Sequence, residues 1–237
     1  ELELLEYRAN LSFHGNNTIW RSLKEAEEEY LDKIREVPKE EPPKMILEEV
    51  PIHEELDVEK LKYYNEYGGF SEDGTEYHIR VHKNQKLPSV WSHLLTNQNF
   101  GTLVTESMGG YTWYKNSRLN RLTAWNNAPV VDVPSEVIYM QDLDTKKIWS
   151  LGFNPCPDEN DYHITYGFGY AKYKHASKGI TQKVDVFVPV EDNIKVQAIR
   201  LENNELHKKK YKLVYYVKPV LEEDELKSNG FLKLDFY

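Results

Sequence analysis

From residue 61 onward, short runs of alternating apolar and polar residues are interrupted by turn residues about every ten positions. A period of two in β-branched and aromatic residues predicts strands with one face toward a core. The first two runs, 63–70 and 76–81, flank a Ser-Glu-Asp-Gly sequence that predicts a β-hairpin. Further strands are predicted at 101–107, 137–142, 147–151, 162–167, 170–175, 180–188, 195–203 and 211–221. Because no helical run separates them, residues 61–237 are predicted to be mainly β, a large antiparallel β-sandwich.

Three local details follow from the same pattern. In the second strand, Tyr77, Ile79 and Val81 are expected to face inward, and His78, Arg80 and His82 outward. An Asp-Leu-Asp-Thr turn at 142–145 is expected to join two neighbouring strands into a hairpin. Segment 89–95 is interpreted as a short helix or as irregular structure.

The first 60 residues have a different pattern. Apolar residues at helical spacing, with glutamates on the opposite face, predict a helix over 18–36, which Val37 and Pro38 end. Residues 38–57 are rich in Pro, Glu and Lys, which is typical of a solvated linker. We therefore interpret 1–60 as a helix plus an acidic, proline-rich linker. Since the chain begins without a methionine or a signal-peptide pattern, we expect a piece of a longer protein, with its sandwich truncated at the C-terminal side.

The charge distribution narrows the classes of partner. The net charge is −9, but residues 1–60 carry 17 acidic and 8 basic side chains, whereas residues 61–237 carry 22 of each. A neutral main domain has neither the basic surface expected for nucleic acid nor a polybasic patch for membranes. No apolar run approaches the roughly 20 residues of a membrane span. With a single cysteine, Cys156, no internal disulfide can form, which suits a cytoplasmic location.

Motifs for catalysis or metal binding are weak. His78 and His82 share a strand face, but a metal site needs a third ligand, so a solvated face is the favoured interpretation. The acidic residues of the main domain that we considered fall in predicted turns, namely Glu72, Asp73, Asp132, Asp142 and Asp144. The glycines at 167 and 169 lack the Lys-Ser/Thr of a phosphate-binding loop. We therefore predict no catalytic residue, metal or cofactor in this chain.

One run, 109–127, combines flat aromatic rings with hydrogen-bonding side chains. Sugars present apolar C–H faces and polar rims, so such a surface suits them. The alternative is a structural role, because Tyr and Trp side chains that alternate along a strand often pack in a core. The candidates for substrate or interface contact are Tyr111, Trp113, Tyr114, Arg118, Arg121, Trp125, Asn126 and Asn127.

Several segments together carry a family resemblance. They are Gly-Gly-Phe-Ser-Glu-Asp-Gly-Thr-Glu-Tyr at 68–77, Pro-Ser-Val-Trp-Ser at 88–92, Asn-Gln-Asn-Phe-Gly at 97–101, Gly-Gly-Tyr-Thr-Trp-Tyr-Lys-Asn-Ser-Arg at 109–118, Arg-Leu-Thr-Ala-Trp-Asn-Asn at 121–127, Trp-Ser at 149–150 and Phe-Val-Pro at 187–189. This set resembles the N-terminal domain of glycoside hydrolase family 94, which holds cellobiose, cellodextrin and chitobiose phosphorylases and the phosphorylase-like region of cyclic β-1,2-glucan synthases. The motifs at 71–74 and 111–118 look closest to its β-1,2-glucan branch.

The resemblance implies a supersandwich-like N-terminal domain, then a helical linker and an (α/α)6 catalytic barrel. It also implies inverting phosphorolysis by one barrel aspartate, with inorganic phosphate as co-substrate, so this chain alone is expected to be inactive. Loops of such domains approach the active site, in dimers that of the neighbouring subunit. The implied partners are a β-glucan oligosaccharide, the enzyme's own barrel and a second copy. The alternatives are a free-standing carbohydrate-binding module and a structural dimerisation domain.

Overall fold

Twelve β-strands and one short 3₁₀ turn, Val58–Lys60, make up the regular structure of the residues that the computed structural model describes, 58–82, 87–128 and 130–220. The strands are β1 (Gly68–Phe70), β2 (Glu76–Val81), β3 (Ser92–Thr96), β4 (Phe100–Thr105), β5 (Gly110–Tyr114), β6 (Glu136–Asp142), β7 (Ile148–Ser150), β8 (Tyr162–Gly167), β9 (Tyr170–Ser177), β10 (Ile180–Phe187), β11 (Val196–Asn203) and β12 (Tyr211–Val217). The predicted helix 18–36 and linker 38–57 lie outside the described residues, so the boundary near residue 60 stays a prediction.

Six strands form one antiparallel sheet in the order β1-β2-β8-β9-β10-β11. Its longest ladders join β9, β10 and β11, where eight residues of each strand pair in register. Gly169 has a φ of 83° in the tight turn from β8 to β9, a conformation that favours glycine. The glycines at 167 and 169 therefore belong to the β-hairpin that joins β8 to β9.

The other strands form two three-stranded sheets, β3-β4-β5 and β12-β6-β7. Segment 121–124 joins them edge to edge through backbone hydrogen bonds. On one side Leu122 N–H donates to Thr112 O at 2.8 Å, and on the other Val220 N–H donates to Leu122 O at 2.9 Å. The two small sheets thus continue into one another across this connecting segment.

In the described part of the chain, one hydrophobic core lies between the six-stranded sheet and the smaller sheets. The larger sheet contributes Ile79, Val81, Tyr162, Ile164, Tyr166, Ala171, Tyr173, Ile180, Val184 and Val186, and the opposing side contributes Leu95, Val104, Met108, Ile138, Met140, Trp149 and Leu151. Burial of these side chains is the main stabilising contribution, at about 1.5–3 kcal/mol for each large aliphatic group. The predicted antiparallel sandwich is confirmed.

Most local predictions agree with the structure, and one is wrong for part of its segment. Ile79 and Val81 are buried and Arg80 is exposed, as the alternation in β2 predicts. The hairpin at 142–145 forms, with the Asp142 carboxylate accepting the N–H groups of its turn. Segment 89–95 is irregular only over 89–91, because residues 92–95 belong to strand β3. Leu94 lies on the outer face of β3 and is 59% exposed, so the usual apolar alternation is masked.

No helix in the described part of the chain has the length and hydrophobicity to cross a membrane.

Candidate functional site

Strand β5 divides the candidate aromatic residues between its two faces. Its ladder with β4 pairs Tyr111 with Leu103 and Trp113 with Gly101, so these side chains share one face. Thr112 and Tyr114 belong to the opposite face. The strand therefore separates Tyr114 from the other two aromatic candidates.

Gly101 provides the space in which the Trp113 ring lies. A Cβ atom at position 101 would come within 2.4 Å of Trp113 Cζ2. Real Cβ contacts are not this short, so any larger residue would displace the indole. The glycine thus allows the ring of Trp113 to lie flat across the neighbouring strand.

Tyr111 is the centre of an aromatic stack. It is 8% exposed, and its ring centroid lies 5.0 Å from Trp113 and 5.1 Å from Trp125, the latter nearly parallel with an interplanar angle of 24°. The Arg121 guanidinium carbon lies 5.6 Å from the Tyr111 ring centroid. We call Tyr111, Trp113, Trp125 and Arg121 the aromatic platform. Trp113 and Trp125 are partly exposed, and the described residues supply no acceptor for either indole N–H.

A tight loop after β5 positions the neighbouring polar candidates. The Asn116 side-chain oxygen accepts the N–H groups of Arg118 and Leu119 at 2.9 and 2.8 Å. The Nε–H of Arg121 donates to Ser117 O at 3.3 Å, which holds its guanidinium beside the platform. Arg118, Asn126 and Asn127 are exposed, whereas Tyr114 lies on the other face with the Lys115 ammonium 5.2 Å from its ring centroid.

A buried ion pair lies beneath the platform, and sequence patterns did not reveal it. The Glu136 carboxylate accepts hydrogen bonds from Thr112 (2.6 Å), Thr123 (2.7 Å), Lys195 (2.6 Å) and Tyr215 (3.2 Å). The Glu136 and Lys195 side chains are 2% and 8% exposed. We call these five residues the seam network, because it joins β5, β6, β12 and segment 121–124.

The charge of Glu136 is fixed by its surroundings. Burial acts to raise the pKa of this carboxyl, but the Lys195 ammonium and the threonine hydroxyls outweigh burial and hold the pKa below its usual value. A carboxylate with all these donors is a stable anion rather than a proton donor. Its position therefore indicates a structural role in the seam.

Two further carboxyls, the buried Glu106 and the partly buried Asp132, behave in the opposite way. Burial raises the pKa of Glu106 to about 7, and the nearby Asp132 carboxyl adds to this effect. Burial also raises the pKa of Asp132, which accepts a hydrogen bond from the Thr105 hydroxyl. By contrast, hydrogen bonds from Ser71 and Thr75 lower the pKa of Asp73 to about 2, which agrees with its predicted role in a turn.

The histidine pair of β2 has neighbours that fit a strand face. Nδ1 of His78 lies 3.2 Å from the Thr165 hydroxyl, and its Nε2 lies 3.5 Å from the Glu76 carboxylate. Across the described ranges 58–82, 87–128 and 130–220, no three His, Cys, Asp or Glu side chains gather as metal ligands. Cys156 is a free, partly buried thiol in the loop after β7.

Comparison with known proteins identifies the family to which the chain is similar. The family model described as "Glycosyl hydrolase 94, supersandwich domain" matches residues 75–235. N,N'-diacetylchitobiose phosphorylase of Vibrio proteolyticus is 29% identical over 140 residues, which is 58% of this chain and 17% of that protein. Cyclic beta-(1,2)-glucan synthase NdvB of Rhizobium meliloti (strain 1021) is 38% identical over 89 residues, 38% of this chain and 3% of that protein. Solabiose phosphorylase of Paenibacillus borealis is 24% identical over 159 residues, 66% of this chain and 20% of that protein. The chain thus spans a fifth or less of the length of these relatives.

Proposed function

The chain belongs to the glycosyl hydrolase 94 supersandwich family, and on that premise we propose that it is the non-catalytic sandwich of a glycoside phosphorylase. The proposed enzyme is a phosphorylase of the glycosyltransferase class, and its reaction inverts the anomeric configuration. Its proposed substrates are β-linked glucan oligosaccharides, in particular β-1,2-linked ones. The observation that carries this proposal is the aromatic platform, whose two indoles are partly exposed and whose Arg121 guanidinium lies over the Tyr111 ring. Similarity to two phosphorylases and to a β-1,2-glucan synthase supports the reaction class.

In the proposed reaction, an aspartate of a separate (α/α)6 domain protonates the glycosidic oxygen. Inorganic phosphate attacks the anomeric carbon from the opposite face, and α-glucose 1-phosphate is released with inversion. Because phosphate supplies the attacking oxygen, this chemistry needs no second carboxylate, unlike hydrolysis. The seam carboxylate Glu136 is therefore not required for it.

The proposed contribution of this chain is to shape substrate access. Trp113 and Trp125 offer ring faces to the C–H face of a pyranose and N–H groups to its hydroxyls. Arg118, Arg121, Asn126 and Asn127 supply polar contacts around them. Tyr111 supports the two indoles from below, because it is itself buried. This arrangement is proposed to act together with the enzyme's own barrel domain and, in a homodimer, with the partner's active site.

Calorimetry with sophorooligosaccharides tests the binding role. We expect saturable heat from the 237-residue chain and its loss in Trp125→Ala. Phe168→Ala is the matched control, since Phe168 is an aromatic residue 82% exposed in the β8–β9 turn. Heat that survives Trp125→Ala would contradict the assignment of the platform.

We also expect no glucose 1-phosphate from this chain with phosphate and oligosaccharide, and its detection would refute the non-catalytic role.

A structural assembly role is the second candidate function, and strand β12 favours it. This edge strand exposes apolar groups on both faces, with Leu213, Val214, Tyr215 and Tyr216 between 43% and 53% exposed. Among the described residues β12 pairs on one side only, and exposed apolar side chains on such an edge are typical of surfaces that another chain or domain covers. Light scattering with size-exclusion chromatography tests this, and a monomer at all concentrations would contradict self-association.

A further inference from the structure

A second aromatic group surrounds Trp91, just before β3. A pocket of about 410 Å³ is lined by Tyr77, Ile79, Val90, Trp91, Ser92 and Tyr166. This volume falls within the range of about 300–1,000 Å³ that is usual for small-molecule sites. Trp91 follows Pro88-Ser89-Val90 in the sequence, yet no pattern of apolar residues marks it as part of a site.

The backbone of Trp91 is held by three hydrogen bonds. Its N–H donates to the Glu106 carboxyl at 2.9 Å, and its carbonyl oxygen accepts from Glu106 N–H and the Tyr166 hydroxyl, both at 3.0 Å. Such anchoring lowers the entropy that a wall of a binding site would lose when a ligand binds. The pocket is therefore organised before a ligand arrives.

Neighbouring rings fix the orientation of the Trp91 indole. Tyr67 meets it edge-on at 6.1 Å, and Tyr77 lies tilted at 60° with its centroid 5.8 Å away. Phe70 packs in turn against the edge of Tyr77 at 4.8 Å. The indole and the Tyr77 phenol thus form two inclined walls of the pocket.

The chemistry of the lining selects an uncharged ligand. None of the six lining residues carries a formal charge at neutral pH, so a charged ligand would lose hydration without an opposite charge in return. Within the described part of the chain, neither the Nε1–H of Trp91 nor the hydroxyl of Ser92 has a hydrogen-bond partner. A ligand with an apolar face and hydroxyl groups matches flat rings combined with free donors.

We propose that this pocket binds one pyranose ring of a neutral β-glucan oligosaccharide, as a subsite separate from the aromatic platform. The backbone of Trp91 is hydrogen-bonded to Glu106, just beyond the end of β4. Trp113 instead pairs with Gly101, near the start of β4. Five residues of extended strand separate these points by about 16 Å. The choice of a glucan rests on the proposed function, but the pocket itself does not depend on the platform.

Indole N–H signals of the ¹⁵N-labelled 237-residue chain test the proposal with sophorose and cellobiose as probes. Trp91→Phe assigns the Trp91 signal among the chain's five tryptophans. We expect a saturable shift of that signal on titration with the sugar. Trp149 is the internal reference, because its indole is buried and donates to Gln182 at 3.0 Å. By calorimetry, Ser92→Ala and Trp91→Phe should each raise the dissociation constant about fivefold, because each removes one neutral hydrogen bond to the sugar.

The five signals also separate this proposal from the proposed function. A shift of Trp91 supports the pocket, even where Trp113 and Trp125 do not move and the platform assignment fails. Shifts of Trp113 and Trp125 without Trp91 overturn the pocket and leave the proposed function standing. No shift at any of the three overturns both. Indole itself serves as an apolar probe. If the Trp91 signal shifts when indole is added but shifts with neither sugar, the pocket takes an apolar partner and the glycan proposal is overturned.

Discussion

Replacing Glu106 by glutamine should remove the contribution of this carboxyl, about 3 kcal/mol, to the pH dependence of the sandwich's stability between about pH 4.5 and 7. The side chain is 7% exposed, and its carboxyl accepts the N–H of Trp91 at 2.9 Å. Burial, aided by the Asp132 carboxyl, raises the pKa from 4.5 to about 7. Glutamine keeps the size and the acceptor oxygen but carries no ionisable proton, so the substitution isolates the charge.

The direction and size of the effect follow from proton binding. A carboxyl with a raised pKa in the folded state binds its proton more tightly there than in the unfolded chain. Its stabilising contribution is complete below about pH 4.5, falls as the pH rises, and is lost above about pH 7. At about 1.36 kcal/mol per pH unit, the free energy of unfolding should fall by ~3 kcal/mol across this range.

Urea unfolding followed by tryptophan fluorescence at pH 5 and pH 8 measures this difference. Between the two pH values, the free energy of unfolding should fall by ~2–3 kcal/mol less for Glu106→Gln than for the natural chain, because the Asp132 and His163 side chains are present in both. Glu72→Gln is the control, because Glu72 is exposed in the β1–β2 turn and should leave the pH dependence unchanged. If Glu106→Gln showed the same fall as the natural chain, the buried carboxyl would not be its source.

Other predictions concern the seam network and the platform. Glu136→Gln leaves the Lys195 ammonium buried without a counter-charge and should lower the free energy of unfolding by about 3–5 kcal/mol, whereas adding Lys195→Met should recover most of the loss in a double-mutant cycle. Gly101→Ala should displace the Trp113 ring, cost about 1–3 kcal/mol and weaken sophorooligosaccharide binding, and unchanged Trp113 indole signals would contradict this. Gly110→Ala should also destabilise the chain in urea, since Gly110 has a φ of 106° and its Cβ would lie 1.9 Å from Leu103 O.

Local patterns predicted those parts of the fold whose pairing partners are close in sequence. The hairpins around 142–145 and 167–170 follow from alternation interrupted by turn residues, and both form. Segment 121–124 has no comparable signal, because its partners are Thr112 and residues 218–220, which are brought to it by the tertiary fold. Strand β3 was missed for a related reason, since exposed Leu94 disrupts the pattern of an edge strand.

The site was predictable in composition but not in arrangement. The run 109–127 contains every member of the platform, yet only the β4–β5 register shows that Tyr111 and Trp113 share a face without Tyr114. Glu136 was not predicted because it shares the strand parity of Ile138 and Met140, where an apolar residue is expected. Its ion-pair partner Lys195 lies 59 positions away. No pattern within a single strand could have joined them.

The seam network and the platform share a backbone, which links stability to the proposed binding. Thr112 lies between Tyr111 and Trp113 on β5, and Thr123 precedes Trp125 by two residues. Both hydroxyls donate to the same oxygen of Glu136, and Thr112 N–H donates to the Thr123 hydroxyl at 2.8 Å. The carboxylate thus fixes the two backbone segments from which the exposed indoles project. A Glu136 variant should therefore weaken glucan binding even where the domain stays folded, whereas Glu106→Gln should change stability and leave the platform's binding intact.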